Sequence, residues 1–250
     1  MPPNPAAPLP AGTQRRTPLF VNRPSDTIII TIDGPAGTGK SSVARALARR
    51  LGLDLLDTGA MYRAAAAIAI DRGIDLAYPD RIVAALEEAD LHFDWAADPP
   101  VILAWTRPID HRIRDEDVTA IVSQIAAIAP LREHMVRKQR VIWEQHPRLV
   151  AEGRDQGSVV FPHANIKFYL DASASVRAAR RAGQLKAAGH DVDPQDLVAE
   201  ITHRDQLDST RAVGPLICPD DAVRIDTSDL SFDQVVDRLE SIVHERVTGI

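Results

Sequence analysis

Thr27-Ile28-Ile29-Ile30-Thr31-Ile32 runs through Asp33 directly into Gly34-Pro35-Ala36-Gly37-Thr38-Gly39-Lys40-Ser41. The first stretch is an unbroken β-branched run, which predicts a strand buried on both faces, as in a parallel sheet. The second fits G-x-x-x-x-G-K-[ST] at every position, and residues 41–51 that follow it have helical composition. Strand, glycine loop and helix in that order form a cradle for phosphate. Glycines without a Cβ let successive backbone N–H groups converge on the oxygens, and the helix N-terminus adds the positive end of its dipole. In such a loop Lys40 reaches the β- and γ-phosphates of a nucleoside triphosphate and the Ser41 hydroxyl ligates Mg²⁺. Asp33, at the end of the strand, is a candidate to hold metal-bound water. The donor contacts are expected from Gly34, Pro35, Ala36, Gly37, Thr38, Gly39, Lys40, Ser41 and Ser42.

Outward from the loop the same rhythm repeats. An apolar run at 53–56 leads to an Ala-rich helix at 59–71, and further strands are expected at 149–151, 166–170 and 222–225, with a last helix at 231–247. Five strands interleaved with helices predict an α/β protein, a three-layer α/β/α sandwich around a five-stranded parallel sheet. Residues 91–114 break the pattern. The runs 91–95 and 101–105, separated by Ala97-Asp98-Pro99-Pro100, read as a hairpin in a small inserted subdomain.

Bulk composition narrows the class. Of the 250 residues, 45% are hydrophobic and 26% charged, an ordinary globular balance that needs no disulfide or metal to hold a core. Cys218 is the single cysteine, read as a partly buried thiol without catalytic duty, and it points to a reducing cytoplasm. The net charge of −6 argues against nucleic acid and anionic membrane as partners, and no apolar run approaches the ~20 residues that span a bilayer. Residues 1–26, rich in Pro and Ala, lack the apolar core of a secretory signal and read as a flexible tail. The histidines show no metal-ligand spacing, and Trp95, Trp105 and Trp143 read as packing residues.

A phosphate loop alone does not separate a kinase from a switch GTPase or a motor ATPase. The Asn-Lys-x-Asp motif of guanine recognition is missing, and in its place stand arginines at loop and helix-end positions: Arg63, Arg132, Arg154, Arg177, Arg180, Arg181, Arg204 and Arg211. A kinase with a phosphorylated acceptor must neutralise that phosphate and the charge developing on the transferred group, which guanidinium groups do well. Three clusters stand out. Glu152-Gly153-Arg154-Asp155-Gln156-Gly157 and Leu56-Asp57-Thr58-Gly59-Ala60-Met61-Tyr62-Arg63 each follow a strand and so fall at the carboxyl edge of the sheet, where ligands bind. Arg204-Asp205-Gln206-Leu207-Asp208-Ser209-Thr210-Arg211 spaces its charges so that Arg204, Asp208 and Arg211 would share one helix face.

Those clusters, together with Ile32-Asp33-Gly34-Pro35-Ala36-Gly37 and Pro215-Leu216…Pro219-Asp220-Asp221-Ala222, closely resemble the bacterial-type cytidylate kinases, from about residue 27 to 242. The resemblance implies the nucleoside monophosphate kinase fold. It implies an acceptor-binding insert at about 80–130, a mobile lid at about 177–195, and a kinase domain filling 27–250. It implies an enzyme that transfers the γ-phosphoryl of ATP to CMP or dCMP with Mg²⁺; separately from the resemblance, a cytoplasmic monomer is expected. By position, Ser123, Arg132 and Asp155 match the residues that read the cytosine edge, and Arg63, Arg154 and Arg211 the clamp on the acceptor phosphate. Arg204 and Asp208 match ribose contacts, and Thr58 and Tyr62 line the same pocket. Arg177, Arg180 and Arg181 fall where the lid begins, so Lys40, Arg154, Arg177, Arg181 and Arg211 are the expected catalytic cations. The insert segment Trp105-Thr106-Arg107-Pro108-Ile109-Asp110 departs from the family pattern, as do Leu207 and Ser209. Two other readings stay open from the residues: a kinase for UMP, dTMP or shikimate, and a nucleotide-binding regulator without transferase activity.

Overall fold

The computed structural model describes residues 27–187 and 189–248; the tail expected at 1–26 lies outside them. At its centre is strand β1, Ile28–Asp33, with all six residues buried. Parallel strands β2 (Asp54–Asp57), β6 (Arg148–Glu152), β7 (Ile166–Asp171) and β8 (Val223–Asp226) complete a sheet of order β2-β6-β1-β7-β8. Every strand expected from sequence is present. The period of two in β1 explains why the run is apolar throughout. Ile28, Ile30 and Ile32 face helices α1 (Lys40–Leu51) and α8 (Phe232–Thr248), while Ile29 joins the core on the opposite face.

That opposite layer is built from α2 (Thr58–Asp71), α3 (Pro79–Ala89), α4 (Glu116–Ile125) and α5 (Ala129–Gln145). The buried Ala64 to Ala69 of α2 let the helix lie close under its neighbours. Between α3 and α4 sits an antiparallel sheet of β3 (His92–Asp94), β4 (Val101–Ala104) and β5 (Arg107–Pro108). The expected hairpin is therefore there, with an extra two-residue strand. Phe93, Ile102 and Ala104 bury themselves in the same apolar cluster as α2, so the inserted strands share the main core.

Helices α6 (Ala174–Ala187) and α7 (Pro194–Thr210) form a hairpin with a small core of its own, Ala178, Ala182, Leu197 and Ile201. Three local features differ from expectation. Cys218 is exposed, because the loop after α7 runs over the surface. Trp105 is 39% exposed in the β4–β5 turn, where the Arg72 guanidinium lies 4.8 Å above its ring. Arg211 does not share a face with Arg204 and Asp208 on α7. The helix ends at Thr210, and Arg211 is extended (φ −61°, ψ 143°) as the chain turns toward Gly214.

Candidate functional site

The glycine loop connects β1 to α1 with its backbone in conformations only glycine takes easily. Gly34, Gly37 and Gly39 have φ of 145°, 81° and 88°. A Cβ on Gly34 would overlap the Leu170 carbonyl of β7, so the loop can pass its neighbouring strand only without a side chain. Lys40 folds back into the loop and is 5% exposed; its Nζ donates to Pro35 O at 2.6 Å and lies 3.4 Å from Thr38 Oγ1. Burial, then the nearby Arg154 charge, pushes its ammonium down to about 7, and Glu152 and Asp33 oppose that fall. A phosphate anion in the loop would restore the charge.

Asp33 does not face the loop mouth. It is 2% exposed, and its two oxygens accept from Gln156 N (2.9 Å) and Gly157 N (2.7 Å), tying β1 to the π-helix Gln156–Val160. Burial nevertheless raises its carboxyl to about 6. The acid that meets Ser41 is Glu152, whose Oε1 accepts from Ser41 Oγ at 2.6 Å. Its position follows from register. Strand β6 lies between β1 and β2, which puts Glu152 opposite both Ile32 and Asp57. Burial, reinforced by Asp57, pushes the Glu152 carboxyl up to about 8. Sequence reading passed over Glu152 as a functional residue, although an acid at the end of an apolar strand beside Gly153-Arg154 was a usable signal.

Beside the loop, a cavity opens between α2, α4, α5, the end of β6 and α7. All ten residues expected to hold the acceptor line it, joined by Gly59, Val122, Ala126 and Gly153. Five of those residues are arginines and two are aspartates, in a chain whose net charge is −6. At its base, Arg132 and Asp155 form an ion pair with side chains only 2% and 3% exposed. Arg132 also donates to Ala126 O (2.9 Å) and lies 5.2 Å from the Tyr62 ring. Gly214, with φ +60°, packs against this pair so tightly that a Cβ would overlap both partners. Thr58 Oγ1 donates to Glu152 O at 2.7 Å, which anchors the start of α2 to the end of β6.

Around the rim, Arg63 donates to Thr119 Oγ1 (2.8 Å) and Ile113 O (3.2 Å). Arg154 Nε donates to Asp208 Oδ2 at 2.8 Å. Arg211 Nε donates to Gly214 O at 2.5 Å, and its Nη1 lies 3.8 Å from Asp208 Oδ1. Burial, then neighbouring arginines, pushes Arg63 down to about 10 and lowers Arg204 and Arg211 as well. Among the described residues, Arg132 Nε, Arg204 Nε and Arg211 Nη2 are buried donors without a hydrogen-bond partner. Unmet buried donors are costly, and three from residues lining one cavity are what a ligand rich in acceptors would satisfy.

The cations expected at the lid divide. Arg181 is exposed and its charge reaches Arg63 and Arg204. Arg180 is bound to Thr227, through Oγ1 at 3.0 Å and the carbonyl at 2.5 Å. Arg177 is 5% exposed and holds the loop carbonyl of Ala36 (3.0 Å) and that of Ala172 (2.9 Å), so it is not part of the arginine cavity.

A five-stranded parallel sheet, a glycine loop on its central strand and an arginine-lined cavity at the same carboxyl edge define a P-loop kinase. The cytidylate kinase family model matches residues 30–245. Cytidylate kinase of Rhodococcus opacus (strain B4) is 45% identical over 226 residues, covering 89% of this chain and 97% of the relative. The cytidylate kinase of Corynebacterium glutamicum is 46% identical over 221 residues, covering 88% and 96%. That of Methylococcus capsulatus is 46% identical over 219 residues, covering 87% and 98%. The chain belongs to the cytidylate kinase family.

Proposed function

We propose that this chain transfers the γ-phosphoryl group of ATP to CMP or dCMP, giving ADP and the cytidine diphosphate. The observation that supports the reading is a set of orphaned guanidinium donors on Arg132, Arg204 and Arg211, three residues that line one cavity beside a triphosphate loop. The backbone amides of the loop and Lys40 hold the donor phosphates. Arg63, Arg154 and Arg211 hold the acceptor phosphate, and Arg204 with Asp208 holds the ribose. At the base of the cavity Ser123, Arg132 and Asp155 meet the cytosine edge. The carboxylate discriminates there, since cytosine offers an amino donor where uracil offers a carbonyl.

Residues at the loop mouth fit a hard cation. Ser41 Oγ and Glu152 Oε1 are 2.6 Å apart, and the Glu152 carboxyl, held neutral by burial and Asp57, would ionise more readily beside a divalent charge. Among the described residues no cluster of His, Cys, Asp and Glu makes a closed metal cage, which accords with Mg²⁺ held chiefly by phosphate and water. When bound, Mg²⁺ neutralises charge on the donor phosphates. The acceptor is itself an anion and needs no strong general base. The protein's contribution is alignment and charge stabilisation, with the α6–α7 hairpin as the lid that excludes water as a competing acceptor.

A panel of CMP, dCMP, UMP, dTMP and shikimate at fixed ATP and Mg²⁺ tests the reading in a coupled assay for ADP. Cytidine monophosphates should be turned over fastest. ADP release that is indifferent to every acceptor, or highest with shikimate or dTMP, would overturn it.

A further inference from the structure

Helix α7 carries acceptor-cavity residues on one side and a different contact on the other. Arg204 and Asp208 line the cavity, whereas Asp205, next in sequence to Arg204, reaches Arg177 on the neighbouring helix with its Oδ2 2.6 Å from Arg177 Nη1. The same Nη1 donates to Ala36 O in the glycine loop at 3.0 Å, and Arg177 Nε donates to Ala172 O, just past β7, at 2.9 Å. Gly37 is pressed against this arginine: a Cβ there would sit 3.2 Å from Arg177 Cβ. Helices α6 and α7 pack on each other through the small cluster of Ala178, Ala182, Leu197 and Ile201; Arg180 also ties α6 to Thr227, and Asp208 ties α7 to Arg154. One buried guanidinium therefore connects the donor loop's backbone to the helix that presents the acceptor's arginine and aspartate.

We propose that Asp205 is a positioning residue which, acting through Arg177, couples occupancy of the glycine loop to the placement of Arg204 and Asp208 in the acceptor cavity. The inference rests on the assignment of ATP to the loop and CMP to the cavity. Turning the loop amides onto phosphates orients the Ala36 carbonyl, and the carbonyl, Arg177 and Asp205 are joined in series to α7. Arg154 also lies within range of the Asp205 charge, and it holds Asp208 of the same helix through Nε at 2.8 Å. Coupling of this kind is reciprocal: each nucleotide should tighten the other by the same factor, on the order of 5- to 150-fold.

The test measures CMP affinity by calorimetry with and without a non-hydrolysable ATP analogue and Mg²⁺, in the wild-type chain, Asp205→Asn and Asp205→Glu. The expected result is tightening in the wild type, a factor near one in Asp205→Asn with CMP alone bound as before, and partial recovery in Asp205→Glu, which keeps the carboxylate. Steady-state kinetics should show the same split, with KM for CMP in Asp205→Asn no longer responding to ATP concentration. A merely structural aspartate would lower the melting temperature and weaken both nucleotides without changing the ratio, and that outcome overturns the proposal. So does an unchanged coupling factor in Asp205→Asn, a wild type without coupling, or an Asp205→Glu variant that folds yet behaves as Asp205→Asn. Failure of the wild type to bind CMP at all would instead overturn the acceptor assignment.

Discussion

Replacing Asp155 with alanine removes one half of the buried pair at the base of the acceptor cavity. Arg132 would keep its bond to the Ala126 carbonyl, but its charge would stay in a site where its own side chain is 2% exposed, with Arg211 close by. Removing one partner of a buried ion pair costs ~3–5 kcal/mol, most of it the penalty of the stranded charge. For a chain of this length each kcal/mol moves the melting temperature by ~2–4 °C, so calorimetry should record a fall of ~6–20 °C. The double variant Asp155→Ala with Arg132→Met removes the stranded charge too and should regain most of that loss. Function separates the two effects. Asp155 Oδ1 lies 3.9 Å from Arg211 Nη2, beyond hydrogen-bond reach, and on the proposed reading it would accept from the cytosine amino group. A hydrogen bond to a charged group contributes ~1.5–3 kcal/mol, so the preference for CMP over UMP should drop by ~10- to 100-fold in both variants. A single variant within ~1 kcal/mol of wild type would show that Arg132 is not stranded, and a CMP-to-UMP ratio left intact would remove Asp155 from base selection.

Other perturbations follow the same logic. Lys40→Ala should lower turnover by at least ~10²-fold and Arg211→Ala by ~10³- to 10⁵-fold, by comparison with other positioned donors and catalytic arginines; near-native rates in either would count against its role. Asp33 offers a pH test. Burial raises its carboxyl from 3.8 to about 6, so between those values the folded chain binds more protons than the unfolded one. Its contribution is fully present below about pH 4 and is lost as pH rises through 6, a loss of ~3 kcal/mol at 1.36 kcal/mol per pH unit. Asp33→Asn should flatten that part of the stability profile in urea titrations at stepped pH, and a profile parallel to wild type would remove Asp33 as its source. Gly214→Ala should destabilise the fold and weaken CMP selection together, because its Cβ would push into Arg132 and Asp155; a variant as stable and selective as wild type would show that the loop yields freely.

What the sequence made legible follows from what each residue's role depends on. The five sheet strands were readable because strands covered on both faces must be apolar throughout, and the glycine loop because its backbone conformations exclude side chains. The residues expected to hold the acceptor were named through resemblance, and they line one cavity. Glu152 was missed because its contact with Ser41 spans 111 residues of sequence and arises from strand register alone. The end of α7 was misjudged because helical spacing carries no sign that the chain straightens at Arg211 to reach the Gly214 carbonyl. Arg177 was read as a mobile lid cation, yet it is held by two carbonyls and a carboxylate, and no local pattern distinguishes it from the exposed Arg181. Strand β5, only Arg107-Pro108, is too short and too polar to announce itself.

Strands β2, β6 and β1 are consecutive neighbours in the sheet, and from their ends spring Thr58 to Arg63, Glu152 to Asp155, and the glycine loop. Adjacent strands sit ~4.8 Å apart, so the two outer ones are separated by ~10 Å. The sheet thereby acts as a fixed ruler for the gap that two phosphates must bridge, graduated by main-chain hydrogen bonding and not by any side chain. Evolution could then exchange the groups that choose the acceptor without disturbing the spacing on which transfer depends.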